Sequence, residues 1–135
     1  MCYGGGRLRV FKTRGFARFA RAERISDASL AESVRRAERG LIDADLGGGV
    51  IKQRVARPGQ GRSGGFRVLI AYRAKTRSVF LFGFAKSARD NVAADELATL
   101  REIASAWFAA DAKALERAVR QGLIQEVDYD ENEKT

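Results

Sequence analysis

Two neighbouring runs of apolar residues in the middle of the chain constrain its fold more than any other feature. Side chains alternate along the first run, Phe66–Arg73, and the second run, Ser78–Phe84, follows after the polar segment Ala74–Arg77. A period of two is typical of a β-strand, and two such runs joined by a short polar turn predict an antiparallel hairpin. The apolar face of the first strand consists of Phe66, Val68, Ile70 and Tyr72.

Helices and further strands are predicted on both sides of the hairpin. Their order indicates an α+β domain at residues 1–127, with a flexible lead at 1–6 and an acidic, disordered tail at 128–135. The basic, glycine-rich run 57–65 is predicted to be a loop. The further elements are a strand at Leu8–Lys12, a helix through Phe16, Phe19 and Ala20, a helix from Ser26 or Asp27 to Arg39, a strand at Val50–Ala56, a helix at Asp95–Phe108, a helix from Asp111 to Gly122 and a short strand at Leu123–Val127.

The composition excludes several classes of function. The chain of 135 residues contains no histidine and a single cysteine, Cys2. A structural zinc site, a histidine-activated nucleophile and an intrachain disulfide are therefore excluded, and we expect no metal ion or cofactor. No run approaches the roughly 20 apolar residues of a membrane span, and the N-terminus lacks the apolar region of a secretion signal. We therefore expect a soluble, cytoplasmic protein that makes no contact with a membrane.

Positive charge is concentrated in one part of the sequence. Residues 1–89 contain 20 basic and 6 acidic side chains, whereas residues 90–135 contain 5 basic and 11 acidic ones. A localised cationic surface attracts polyanions, of which nucleic-acid backbones are the commonest in the cytosol. The pattern favours nucleic-acid binding over a merely solvated surface. Residues 47–89 contain no acid, and their basic residues are Lys52, Arg54, Arg57, Arg62, Arg67, Arg73, Lys75, Arg77, Lys86 and Arg89.

Four of these cations are predicted to lie together. Alternation places Lys52 and Arg54 on one face of their strand. In an antiparallel sheet, Arg67 from the neighbouring hairpin strand and Lys86, just past the next strand, lie beside them. Such a basic surface can hold an RNA phosphate between guanidinium groups while a nearby amine handles a proton.

Two sequence motifs are similar to those of a known family. The first is K-Q-R-V-A-R-P-G-Q-G-R-S-G-G-F-R (Lys52–Arg67), and the second is G-F-A-K-S-A-R-D-N (Gly83–Asn91). Together with the order of elements, they resemble the RelE/HigB family of bacterial toxins from toxin–antitoxin systems, and the resemblance extends from Leu8 to about Phe108. It implies a RelE-like α+β fold, in which two N-terminal helices and a C-terminal helix pack on a four-stranded, mainly antiparallel sheet. We interpret the segment after that point as an accessory extension.

The resemblance also implies an activity and two partners. Members of the family cut mRNA, usually in the ribosomal A site, by attack of a 2′-OH on the adjacent 3′ phosphate. The reaction needs no metal ion and releases a fragment with a 5′-OH. A cognate helix-turn-helix antitoxin is expected to mask the toxin. By their match to the family's basic positions, Lys52, Arg54, Arg67 and Lys86 are assigned to catalysis. We assign further cations of the same stretch to RNA binding, namely Arg57, Arg62, Arg73 and Arg89.

The absence of histidine narrows the choice of the base that takes the 2′-OH proton. A lysine is the best candidate, since neighbouring cations favour its neutral form. Our hypothesis makes Lys52 the base, while Arg54 and Arg67 stabilise the extra negative charge of the phosphorane. Lys86 or Arg89 is the partner of the leaving group. The opposite assignment of Lys52 and Lys86 stays open.

The sequence also leaves open which aromatic residue stacks on an RNA base. No aromatic residue lies between Lys86 and Glu96, where several members of the wider family carry a tyrosine. Stacking then falls to Phe84, or to Tyr72 if it is exposed. The alternative is that Phe82 and Phe84 belong to the core.

Two other functions are compatible with the sequence. One is a toxin of related fold that inhibits its target by binding, as the gyrase-poisoning branch of the superfamily does. The other is a basic RNA- or ribosome-binding module whose cations give affinity without turnover. The basic strand and the loop after it favour the nuclease.

Overall fold

The structure is a computed structural model that describes residues 8–57, 61–89 and 91–130, with the backbone alone for residues 61–63. The predicted lead at 1–6 lies outside the described residues. The α+β class predicted from the sequence is confirmed. The elements are β1 (Arg9–Thr13), α1 (Arg14–Glu23), α2 (Asp27–Glu38), β2 (Ala44–Asp45), β3 (Val50–Arg57), β4 (Gly61–Arg73), β5 (Arg77–Ala85), α3 (Ala94–Ala109), α4 (Ala112–Arg120) and β6 (Ile124–Val127).

One sheet of six strands connects these elements, in the order β2-β3-β4-β5-β1-β6. Every neighbouring pair is antiparallel except β1 and β5, which are parallel. The prediction of four strands is therefore wrong in number. At one edge the two-residue strand β2 pairs with β3, and at the other edge β6 pairs with β1. Two residues are too few for a periodic pattern, so the sequence gives no signal for β2.

Helices cover both faces of the sheet. On the face of α1 and α2, the core contains Val10, Ile51 and Phe80. On the face of α3 and α4, it contains Leu69 and other apolar strand residues. The family resemblance predicts one C-terminal helix, whereas the fold has two. None of the helices in the described ranges is long and apolar enough to cross a membrane.

Strand β4 begins earlier than its apolar pattern indicates. The predicted loop 57–65 is a strand from Gly61 onward, and Arg57 pairs with Gly61. Glycine and polar residues join the ladder through their backbone groups, which leaves no periodic side-chain signal in the sequence. Residues 58–60 of the predicted loop lie outside the described residues.

The chain after Trp107 is an integral part of the fold, which corrects its interpretation as an accessory extension. Val127 of β6 pairs with Val10 of β1. Beyond β6, Tyr129 is 9% exposed and packs in the core on the α1 side. Arg35 also donates to the backbone oxygen of Asp130 at 3.1 Å. Within the predicted disordered tail at 128–135, Tyr129 is thus packed and the backbone oxygen of Asp130 is hydrogen-bonded. Residues 131–135 lie outside the described residues.

Helix α3 covers only part of its face of the sheet. Leu100 and Ala104 of α3 pack over Leu69 and Ala71 of β4. Further along the same face, towards the start of β4, Arg54 of β3 is exposed to solvent. This uncovered part of the α3 face, the open end of the sheet, holds the predicted catalytic cations.

Candidate active site at the open end of the sheet

Three neighbouring strands bring charged and aromatic side chains together at the open end of the sheet. Arg54 of β3 pairs with Arg67 of β4, which in turn pairs with Phe84 of β5. Directly paired residues project from the same face, with their Cβ atoms about 5 Å apart. Lys52 lies two positions from Arg54 and projects from the same face. The structure thus brings Lys52, Arg54 and Arg67 together, as the alternation predicts.

The two paired arginines differ in exposure. Arg67 is 9% exposed, and its Nη1 lies 3.5 Å from the backbone oxygen of Phe66. The side chain of Arg54 is 51% exposed, and its Nε lies 3.9 Å from Oδ1 of Asp43. Asp43 also accepts a hydrogen bond from the backbone N–H of Arg54 at 2.7 Å. Because two adjacent guanidinium groups repel each other, an oxyanion that bridges them is favoured.

A lysine lies on each side of the arginine pair. Lys52 of β3 donates from Nζ to Oδ1 of Asn91 at 3.3 Å, so a side-chain amide holds the amine in place. Lys86 follows β5, and its backbone N–H donates to the oxygen of Gly65 at 3.1 Å, which keeps it beside the start of β4. The Lys86 side chain is exposed. Asn91 lies in the second family motif, but the sequence alone gave it no role.

Arg89 is held over two aromatic rings. Its guanidinium carbon lies 5.9 Å from the ring centroid of Phe82 and 5.6 Å from that of Phe84. Both Nη atoms donate to the carboxylate of Glu96, and Nε donates to the backbone oxygen of Asn91 at 2.9 Å. These hydrogen bonds therefore hold the Arg89 side chain in place at the β5 side of the open end.

Glu96 positions Arg89, and sequence analysis missed it. The hydrogen bond from Arg89 holds the pKa of Glu96 below its ordinary value, and the backbone N–H of Ala93 lowers this pKa further. That N–H donates to Glu96 Oε1 at 2.8 Å at the start of α3. A capping box would ordinarily reveal such a glutamate, but its first residue here is Ala93 instead of serine or threonine.

The aromatic residues lie mainly in the core. Phe84 is 5% exposed, and the partly buried Phe82 packs against the core on the α3 side. Tyr72 lies on the opposite face, where its hydroxyl donates to Glu38. Burial and this hydrogen bond raise the pKa of Tyr72. Tyr72 is therefore excluded as the stacking group at the open end, and the guanidinium group of Arg89 lies over the rings of Phe82 and Phe84.

Two of the four cations assigned to RNA binding lie elsewhere. Arg57 is on the opposite face, 3.8 Å from Glu23 of α1 and over the ring of Phe66. It points there because β3 continues through residue 57, which extends the alternation of the strand. Arg73 shares the face of Arg67, but it lies six residues away, about 20 Å along β4, and stacks over Phe108. The side chain of Arg62 lies outside the described residues.

The open end can bind and polarise a phosphate. It combines a pair of guanidinium groups, two amines and a stacked arginine. Two carboxylates of the described residues beside it, Asp43 and Glu96, pair with Arg54 and Arg89. In the described part of the chain, no cluster of His, Cys, Asp or Glu has the arrangement of a metal site. Fixed cations of this kind can stabilise charge that develops on phosphate oxygens.

Comparison with known proteins identifies the class. The family model described as the RelE toxin of the RelE/RelB toxin–antitoxin system matches residues 8–127. The protein is therefore a toxin of a toxin–antitoxin system, and an antitoxin is its partner. Specifically, the chain belongs to the RelE toxin family. The match continues through α4 and β6, well beyond the end expected from the sequence motifs. No curated protein matches the chain.

Proposed function

We propose that this toxin is a ribosome-dependent mRNA endonuclease that acts in the cytoplasm without a metal ion. The observation that carries the proposal is the pairing of Arg54 with Arg67, with Lys52 and Lys86 on either side. Membership of the RelE family supports a toxin that blocks translation, and the cation arrangement supports chemistry on a phosphodiester. We also propose that the antitoxin is a helix-turn-helix protein that masks the toxin.

The proposed reaction assigns one role to each cation. Lys52 accepts the proton of the 2′-OH, and the 2′ oxygen attacks the adjacent phosphorus. Arg54 and Arg67 bind the non-bridging oxygens and stabilise the negative charge of the pentacoordinate phosphorane. Lys86 donates a proton to the departing 5′ oxygen, so that the products are a 2′,3′-cyclic phosphate and a 5′-OH. The reverse assignment of the two lysines has the same balance of protons.

Arg89 is better suited to hold an RNA base than to assist the leaving group. An arginine stays protonated at any ordinary pH, so it does not act as a general acid. Its guanidinium plane, held by Glu96 over Phe82 and Phe84, offers a flat cation on which a nucleobase can stack. We therefore assign the leaving group to Lys86.

The proposal is tested in a translating extract by mapping RNA ends after addition of the purified toxin, with Lys52→Ala as a variant. We expect new 5′-OH ends within translated mRNA and a large loss of these ends in the variant. Inhibition of translation with intact mRNA would instead indicate a binding module. If mRNA and translation are both unaffected, the endonuclease proposal is wrong, and a gyrase-type toxin becomes the better explanation.

Replacement of Glu96 by glutamine is expected to lower cleavage about tenfold. Glutamine still accepts from the N–H of Ala93, so α3 is retained, but it loses the charged pair with Arg89. Because Arg89 is assigned to base stacking, KM for programmed ribosomes should rise more than kcat falls. Steady-state cleavage assays measure both constants. Unchanged KM in a folded variant would contradict the positioning role of Glu96.

A further inference from the structure

Helices α1 and α4 each carry a stripe of basic residues that the proposed reaction does not use. On α1 the stripe consists of Arg14, Arg18 and Arg21, and on α4 it consists of Lys113, Arg117 and Arg120. The spacing i, i+4, i+7 keeps each set within a narrow band of its helix surface. All six side chains are exposed to solvent. We refer to the two stripes together as the α1–α4 surface.

The charge of the α1–α4 surface is not compensated by neighbouring acids. Within the described residues, none of its six cations forms an ion pair, and Arg14 donates only to the backbone oxygens of Gln121 and Gly122. The acids on these two helices are engaged by other cations or by a cap. Glu23 pairs with Arg57, Glu116 pairs with Arg9, and Asp111 caps α4.

The α1–α4 surface and the catalytic cations lie on different parts of the sheet. Helix α4 packs on the edge strand β6, whereas α1 crosses the opposite face of the sheet from β6 and β1 to β5, and its Glu23 pairs with Arg57 of β3. The catalytic cations lie on and beside β3, β4 and β5, on the face away from α1. The hydrogen bonds from Arg14 to the end of α4 join the two stripes. The surface therefore extends from one helix to the other around the outer edge of the fold.

The composition of this surface fits nucleic acid better than protein. Protein interfaces bury a core of apolar and aromatic side chains, from which charged residues are depleted. One exposed large apolar residue of the described chain, Leu123, lies beside Arg14, and α1 otherwise flanks its arginines with the small residues Gly15 and Ala22. Rows of exposed arginine and lysine with small neighbours are suited to contacts with a sugar–phosphate backbone.

We propose that the α1–α4 surface binds the backbone of structured RNA and thereby docks the toxin on the ribosome, away from the mRNA that it cuts. This inference rests on the proposed function, because that function makes the ribosome the target. The surface contributes affinity and leaves the chemical step to the open end of the sheet. Docking at one surface and cleavage at another explains why the acid-rich C-terminal part of the chain still carries a basic helix.

Two pairs of substitutions test the proposal against a matched control. The variants are Arg18→Gln with Arg21→Gln on α1, and Arg117→Gln with Arg120→Gln on α4. The control, Arg39→Gln with Lys75→Gln, removes the same charge from exposed positions at the turns after α2 and β4. Glutamine retains helix propensity, so all three proteins should fold. The probes are a labelled 24-base-pair RNA duplex and purified ribosomes programmed with mRNA, each titrated at several KCl concentrations.

Both stripe variants are expected to bind the duplex and the ribosomes about tenfold more weakly than the control. The slope of log K against log salt should become shallower by about 2, since two phosphate contacts are lost. The single-turnover cleavage rate at saturating ribosomes should stay at the parent value.

Two results would overturn the inference. One is RNA binding by both stripe variants equal to that of the control. The other is normal RNA binding with weaker binding to the purified antitoxin, which would make the surface a protein interface. If the parent cuts no mRNA but both stripe variants lose duplex binding, the proposed function fails and the RNA-binding surface stands. If the parent cuts mRNA and both stripe variants bind the duplex as tightly as the control, the proposed function stands and the RNA-binding surface is wrong.

Discussion

Arg67→Ala is expected to reduce the rate of mRNA cleavage about 100- to 1000-fold, the usual effect of removing one fixed donor to a developing oxyanion. Arg67 is the central cation of the site, because β4 lies between β3 and β5 and Arg67 pairs with Arg54 and Phe84 at once. Its burial holds the guanidinium in place before substrate binds. Single-turnover cleavage on programmed ribosomes measures the effect, and circular dichroism checks that the variant is folded.

Arg73→Ala provides the matched control for this prediction. Arg73 is on the same strand and the same face, but it stacks over Phe108 at the far end. The substitution removes the same charge from the protein and should leave cleavage within about threefold of the parent. Cleavage by folded Arg67→Ala at a rate close to that of Arg73→Ala would contradict the assignment of Arg67.

Gly65→Ala is expected to lower the free energy of unfolding by about 3 kcal/mol, at the upper end of ordinary overpacking effects. A Cβ atom at this position would lie 2.2 Å from the backbone oxygen of Val55 and 2.7 Å from the backbone nitrogen of Arg57. Backbone atoms cannot rotate away, so β3 and β4 must separate. Because the oxygen of Gly65 also accepts from the N–H of Lys86, the substitution disturbs the active site as well.

Gly15→Ala is the control for the effect of the added methyl group. Gly15 lies in α1, and a Cβ there would meet nothing within 4 Å. Alanine should stabilise this helix by up to about 1 kcal/mol. Urea unfolding of both variants gives the two free energies. Equal stability of Gly65→Ala and the parent would mean that β3 and β4 do not approach each other as the structure describes.

Local signals in the sequence predicted most elements of the fold. Ser26 caps α2 and Asp111 caps α4 through the side-chain hydrogen bonds that their residue types favour. The alternation from Phe66 to Tyr72 correctly places four side chains on one face of β4, which packs against the core on the α1 side. The strand at Leu123–Val127 was predicted from the sequence, although its edge position beside β1 depends on long-range pairing. Strand β2 was missed because two residues are too few for a pattern.

The candidate site was predictable only as far as strand alternation reaches. Lys52, Arg54 and Arg67 share a face because each lies within a regular strand. The position of Arg57 depends on where β3 ends, and the stacking of Arg73 depends on where α3 places Phe108. Neither is a local property of the sequence. The contacts of Asn91 and Glu96 depend on how the chain returns from β5 to α3.

The most direct test of the central claim is cleavage of an mRNA that carries a single 2′-deoxynucleotide at the mapped cleavage position on purified, programmed ribosomes. If a 2′-OH attacks the adjacent phosphate, the unmodified mRNA is cut to a 2′,3′-cyclic phosphate and a 5′-OH. The deoxy-substituted mRNA should then stay intact at that position. Cleavage of the substituted mRNA at the same position, or products with a 5′-phosphate, would contradict this mechanism.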